Sequence, residues 1–242
     1  SGGLVDVDLY YNTARQLVGH PSFGLDHLIE FGRYSLSAGR RGHRLVIIPD
    51  APNRSRVFGL RSKRAVALLK PRGLGLTVVE LRGSNGSQTA FPPSVIRAEG
   101  KPEDRLVWTD PDATIPELDW EELNSRVGHL AFCALAAALY PPDNRDALCF
   151  SVFGALTESG VDVVTADKMV SEISRVTGDE AFRDTALDHG GEGMNEFLAL
   201  TGLQDIGHIV RSWLGLQTAE PDAAAWERDR HGDDDFVQGE VR

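Results

Sequence analysis

The chain has 242 residues, of which 41% are hydrophobic, and this is enough for one large domain or two small ones with a buried core. Its longest apolar stretch, residues 130–139, is too short to cross a bilayer, which takes ~20 residues, so no membrane association is expected. The formal net charge of −11 would by itself argue against a nucleic-acid-binding protein.

The charge is distributed unevenly along the chain. Residues 1–101 contain 15 Lys and Arg against 7 Asp and Glu, whereas residues 102–242 contain 10 against 29. A basic first half favours contact with a polyanion, although an uneven distribution can also arise by chance. The first residues lack the basic segment of a signal peptide, and we expect a cytoplasmic protein.

The first 115 residues have the pattern of short strands between turns. Residues 4–9 alternate apolar and acidic side chains with the period of a strand. Further strands are predicted at 27–31, 44–48, 76–81 and 88–91, with Gly and Pro between them. Helices are predicted at 11–18 and 62–69.

From about residue 119 the pattern becomes helical. Helices are predicted at 119–140, 144–158, 165–176, 179–187 and 204–214, with Thr165 as a candidate N-cap. Cys133 and Cys149 fall in these apolar patterns, which predicts buried free thiols and no structural zinc site. We therefore predict an α+β protein with a strand-rich domain (1–115), a helical bundle (116–216) and an acidic tail or linker (217–242).

Asp6 and Asp8 are the first candidate site residues. Residues i and i+2 of a strand point to the same face, so the two carboxylates project side by side while Val5, Val7 and Leu9 face the core. A hard divalent cation such as Mg²⁺ or Mn²⁺ would relieve their repulsion. The alternative is an ordinary polar strand face.

Glu80 lies in another apolar strand, where a carboxylate needs a partner. Either the partner is a metal ion shared with Asp6 and Asp8, or it is Arg82, which lies on the same face at i+2. In the second case Glu80 would form a structural ion pair.

His43 lies at the start of an apolar strand, in a segment rich in Gly, Arg and Ser. Arginine forks and backbone N–H groups near glycine suit phosphate oxygens. The same segment contains further candidate phosphate ligands: Arg33, Ser35, Arg41 and Arg44. A lone His also occurs in purely structural roles.

Taken in order, these segments resemble the archaeo-eukaryotic primase superfamily, and in particular the bifunctional primase–polymerases of phages and plasmids. Residues 3–9 resemble its first motif, which supplies two metal-binding acids. Residues 31–44 resemble the second, whose His contacts the triphosphate, and residues 79–83 resemble the third, which supplies the last metal ligand. Residues 87–95 and 108 resemble the stretch that follows, and parts of 144–216 resemble the helical accessory domain.

The resemblance implies an RRM-like mixed-sheet catalytic core in residues 1–115, with Asp6, Asp8, Glu80 and His43 as catalytic residues. The three acids would hold two Mg²⁺ or Mn²⁺ ions. The nucleotide-binding residues would be Arg33, Ser35, Arg41, His43, Arg44 and Gln88. Template phosphates would meet a weaker set of basic residues, for which a solvated surface is the alternative: Arg54, Arg56, Arg61, Lys63 and Arg64.

Three positions depart from the family pattern. Gly42 stands where a Ser usually precedes the His, Ile96 where a His often ends the Pro-Pro-Ser stretch, and Tyr10 where another acid is common. The three predicted metal ligands are unaffected by these changes.

The implied activity is template-directed synthesis and extension of primers on single-stranded DNA. The implied partners are template, primer and nucleoside triphosphates, with a replicative helicase as a candidate joined through the acidic tail, and the expected state is a monomer. Two alternatives stay open at this point: a catalytically degenerate nucleic-acid-binding module and a metal-dependent nuclease.

Overall fold

The computed structural model describes residues 3–33, 42–49, 55–83, 89–97, 103–141, 143–179 and 193–216. The strands in these ranges are β1 (Gly3–Leu9), β2 (Ile29–Arg33), β3 (Gly42–Ile48), β4 (Ser55–Gly59), β5 (Thr77–Arg82), β6 (Val95–Ile96) and β7 (Asp104–Trp108). The helices are α1 (Asn12–Leu17), α2 (Lys63–Leu69), α3 (Trp120–Ala138), α4 (Arg145–Glu158), α5 (Val163–Thr177), α6 (Gly193–Thr201) and α7 (Gly207–Trp213).

The strands form one sheet in the order β4-β5-β1-β3-β2-β7-β6, with the two-residue β6 at its edge. The predicted α+β class is therefore confirmed. The predicted mixed sheet is wrong for the described strands, since every neighbouring pair is antiparallel. The reason is topological: β1 and β2 run parallel to each other, but β3 lies between them, and β1 in turn separates β3 from β5.

The two faces of β1 have different environments. Val5, Val7 and Leu9 are buried in a large apolar cluster that also contains buried residues of all seven described helices. The opposite face carries Asp6 and Asp8, as the period of two predicts. The helices therefore fix one side of the sheet, and the acids lie on the other.

Local sequence explains where the helices begin. Ser62 caps α2 by accepting a hydrogen bond from the Ala65 N–H, and Asp119 caps α3 through the Glu122 N–H. The predicted cap Thr165 is wrong: α5 begins at Val163, because the Asp162 carboxylate accepts the Thr165 N–H. Both cysteines are buried free thiols, as predicted.

Several other elements of the structure differ from the predicted ones. The segment 204–214 consists of a short 3-10 turn followed by α7, and α6 was not predicted. Residues 89–91 are not a strand, whereas β4, β6 and β7 were missed. Most of the predicted helix 179–187, the tail 217–242 and residue 88 lie outside the described residues. None of the described helices has the length and apolarity needed to span a membrane.

Candidate functional site

Three adjacent central strands bring the predicted acids and His43 together. In the register between β1 and β5, Asp8 lies opposite Glu80 and Asp6 lies opposite Arg82. In the register between β1 and β3, Asp8 lies opposite His43. Directly opposed residues on one face lie within side-chain contact distance. Residues about 40 and 70 positions apart in sequence thus meet on one face of the sheet.

Asp6 is held by His43 and by a neighbouring loop. Its side chain is only 2% exposed, and His43 Nδ1 lies 3.1 Å from both carboxylate oxygens. Because a carboxylate can only accept, the proton of this hydrogen bond is on Nδ1. The Thr89 hydroxyl donates a second hydrogen bond of 2.7 Å to Asp6 Oδ2.

Asp8 is fully buried and lies next to two cationic or ionisable groups. Arg82 Nη2 is 2.8 Å from its Oδ2, and His43 Nδ1 is 3.7 Å from its Oδ1. Arg82 also contacts Glu80 Oε2, at 3.0 Å through Nη2 and 3.1 Å through Nε. The Glu80–Arg82 ion pair that the sequence offered as an alternative is therefore present, and it includes Asp8.

The ring of His43 is fixed by aromatic packing as well as by Asp6. Phe31 lies opposite it in β2 and stacks on it, with ring centroids 4.8 Å apart and an interplanar angle of 17°. Phe91 and Trp108 pack in turn against Phe31. The ring is therefore held in one orientation, with Nδ1 on Asp6.

The neighbours of His43 point to the opposite face. A Cβ on Gly42 would lie 3.3 Å from Arg15 Cγ and 3.5 Å from Leu9, so a side chain there would point away from the acids. The Ser that the resemblance leads one to expect at position 42 would not reach this site. Arg44 likewise contacts Glu30 and the Leu28 carbonyl, and burial lowers its pKa. The side chain of Arg44 therefore lies on the face of β3 opposite to that of His43.

The other predicted nucleotide ligands are not placed. Ser35, Arg41 and Gln88 lie outside the described residues, as does Arg54 of the weaker set. The backbone of Arg33 belongs to β2, but its side chain is outside the described part.

The remaining residues of the weaker basic set separate into two groups. Arg56 donates to Asn124 and to the Ser212 carbonyl, and its guanidinium lies 4.7 Å from the centre of the Phe58 ring. Arg56 therefore joins the sheet to the helices. Arg61, Lys63 and Arg64 are exposed, and Arg64 makes one ion pair with Asp205, at 3.7 Å.

The side chains of Asp6, Asp8 and Glu80 are of the chemical type that binds a hard divalent cation, because they provide three carboxylates on one face, two of them buried. In the arrangement of the described residues, however, no three His, Cys, Asp or Glu side chains are placed to hold a metal ion. Arg82 and His43 contact the carboxylate oxygens that such an ion would need. The residues fit a metal by chemistry and would have to rearrange to bind one.

Two residues of this cluster were missed by sequence reasoning. Tyr10 donates from its hydroxyl to Glu80 Oε2, and burial together with Asp8 and Glu80 raises its pKa to about 12. Thr89 contacts Asp6 from the loop that follows β5. The signal for Tyr10 was its position directly after the Asp6-x-Asp8 strand. Thr89 adjoins Gln88, which was chosen in its place.

Comparison of the chain with protein-family models, with curated proteins and with solved structures gives no match.

Proposed function

We propose that this chain is a template-directed nucleotidyltransferase of the primase–polymerase type, which makes and extends primers on single-stranded DNA. One observation carries the proposal. Asp6, Asp8, Glu80 and His43, the four residues that the motifs singled out, meet on the sheet face opposite the helices.

The strand topology supports the same proposal. The elements β1-α1-β2-β3 and α2-β5, with the spatial order β5-β1-β3-β2, form two interleaved split β-α-β units. We propose that this is the RRM-like core of the archaeo-eukaryotic primase superfamily, with β4 and β7 added outside it. The first motif then falls on β1, the second begins in β2 and ends in β3, and the third falls on β5.

The acids would hold the divalent cations, for which Mg²⁺ and Mn²⁺ are the candidates. When bound, such ions lower the pKa of an attacking hydroxyl and neutralise the charge of a triphosphate. Asp6 has a second role in this scheme, because it fixes the proton of His43 on Nδ1. Nε2 is then the ring nitrogen that would face a phosphate oxygen, and it would donate to that oxygen as the N–H of the doubly protonated ring.

The test compares matched pairs of acids in an assay that incorporates labelled nucleotides on single-stranded template with Mg²⁺ or Mn²⁺. We expect Asp6→Ala with Asp8→Ala to abolish synthesis, since both carboxylates of β1 are lost. The control is Asp110→Ala with Asp112→Ala, an exposed pair with the same spacing, which should retain full synthesis.

Circular dichroism checks that both double variants are folded. Full synthesis by the folded Asp6/Asp8 double variant would contradict the proposed function. Synthesis that is absent in the unmodified chain, together with intact binding of template, would favour the degenerate nucleic-acid-binding module.

A further inference from the structure

Arg82 places one positive charge between two of the three acids. Its Nη2 lies 2.8 Å from Asp8 Oδ2 and 3.0 Å from Glu80 Oε2, and these two carboxylates face each other across β1 and β5. The guanidinium is charged at neutral pH, because an arginine side chain does not lose its proton in proteins.

Tyr10 completes this arrangement. Its hydroxyl accepts a hydrogen bond of 2.5 Å from Arg82 Nη2 and donates one of 3.0 Å to Glu80 Oε2. The contacts hold Arg82 in a defined position while its side chain stays 18% exposed. The guanidinium therefore lies at the rim of the cluster, with part of its surface open to solvent.

Arg82 neutralises the same two carboxylates, Asp8 and Glu80, that a divalent cation would neutralise. Asp8 is fully buried next to Glu80, and buried like charges require a positive partner. Arg82 and a metal ion cannot both contact Asp8 Oδ2 and Glu80 Oε2, because they compete for the same oxygens and repel each other.

We propose that Arg82 is the resident counter-ion of the Asp8–Glu80 pair and is exchanged for a divalent cation when the site is loaded. This inference rests on the proposed function. The displaced guanidinium then needs a new anion, and a nucleoside triphosphate is the anion that the proposed reaction brings. Metal binding and triphosphate binding are thereby coupled through Arg82.

The first test measures Mn²⁺ binding without nucleotide, from the electron paramagnetic resonance signal of free Mn²⁺. Arg82→Gln should bind Mn²⁺ about tenfold more tightly than the unmodified chain, since a competing charge at 3 Å is removed. Arg82→Lys should fall between the two, because it keeps the charge but loses the two-pronged contact. Arg105→Gln, at a residue whose side chain is 71% exposed, should bind as the unmodified chain does.

The second test adds a non-hydrolysable nucleoside triphosphate. In the unmodified chain the triphosphate should tighten Mn²⁺ binding, because it provides an anion for the displaced guanidinium. In Arg82→Gln this gain in Mn²⁺ affinity should be smaller, because there is no guanidinium to displace. An equal gain in both proteins would overturn the coupling.

A measurement on the unmodified chain covers the case in which Arg82→Gln does not fold. The ¹⁵N resonance of Arg82 Nε should shift during a Mg²⁺ titration and saturate together with Mg²⁺ binding, while that of Arg105 stays in place. Binding of Mg²⁺ without any shift of Arg82 contradicts the exchange.

Failure of the exchange and failure of the proposed function would give different outcomes. Weaker or equal Mn²⁺ binding by folded Arg82→Gln removes the exchange and leaves the proposed function intact. If the unmodified chain binds neither Mn²⁺ nor Mg²⁺, with or without triphosphate, both the exchange and the proposed function fail.

Discussion

Asp8 belongs both to the ion pair with Arg82 and to the cluster of predicted metal ligands. The sequence indicated that Asp8 shares a face with Asp6, and Glu80 with Arg82, because both pairs follow the period of a strand. It could not indicate that Asp8 lies opposite Glu80 and His43, since that depends on the register between strands. The predicted ion pair and the predicted acid cluster are parts of the same arrangement.

The adjacent residues His43 and Arg44 provide a matched test of which face binds nucleotide. His43→Gln should weaken nucleoside triphosphate binding about tenfold or more, the value of one hydrogen bond to a charged group. Arg44→Met should leave that affinity unchanged, because Arg44 contacts Glu30 and the Leu28 carbonyl on the other face. Isothermal titration calorimetry measures both. A loss of triphosphate affinity with Arg44→Met and none with His43→Gln would show that the nucleotide binds the face of Arg44, and would contradict this site.

At the scale of elements, the sequence predicted best where turn and capping residues mark the ends of an apolar pattern. Strand β1 and helices α2, α3 and α4 agree with their predictions to within two residues at either end. Strand β4 was missed because its alternation includes Arg56, whose long side chain reaches Asn124 and the Ser212 carbonyl and packs over Phe58. Such contacts come from tertiary packing and leave no apolar signal in the sequence.

The contact between α3 and α7 depends on a glycine. A Cβ on Gly128 would lie 2.0 Å from the carbonyl oxygen of Trp213, and a backbone atom cannot give way easily. Gly128→Ala should therefore lower the free energy of unfolding by about 1–3 kcal/mol. The control Gly19→Ala, at a residue with nothing within 4 Å of its Cβ, should change it by less than about 0.5 kcal/mol. Urea unfolding of both variants is the measurement, and equal stabilities would contradict this packing.

We expect the partly buried His129 on α3 to make the fold sensitive to acid. Burial lowers its pKa from 6.5 to about 4, and its Nε2 lies 3.2 Å from the Ser159 hydroxyl. Above pH 6.5 both the folded and the unfolded states carry a neutral His129. Between pH 6.5 and about 4 the unfolded state binds a proton that the folded state does not, so stability falls as the pH falls.

We therefore expect the drop in unfolding free energy from pH 7 to pH 5 to be smaller in His129→Gln, by about 1–2 kcal/mol. The measurement is urea unfolding at both pH values. An identical drop in the two proteins would show that His129 is not the sensitive group.

At the scale of the whole molecule, the two halves predicted from the sequence share one apolar core. Val5, Val7 and Leu9 of the central strand belong to the same buried cluster as residues of α3, α5 and α7. Helix α3 also contacts α1 and β5. The change of pattern near residue 116 therefore marks a change of secondary structure, and the core continues across it. Periodicity could not show this, because it reports which face is buried but not against which segment.

A truncation tests the continuity of the core. Residues 1–115 alone should not fold, since the covered face of the sheet would lose α3 and the helices behind it. A chain of residues 1–216, which retains all the described elements, should fold as the full chain does. Dispersion of amide resonances in two-dimensional NMR reports both, and a well-dispersed spectrum from residues 1–115 would contradict a shared core.

We propose that the face carrying Asp6, Asp8, Glu80 and His43 transfers nucleotides to a growing strand. The most direct measurement uses a 5′-labelled primer annealed to a longer single-stranded template, with Mn²⁺ or Mg²⁺ and single nucleoside triphosphates added in turn. We predict that the primer lengthens only with the nucleotide complementary to the next template base. A primer that is shortened, or one that remains unchanged with every nucleotide and both metals, would contradict this function.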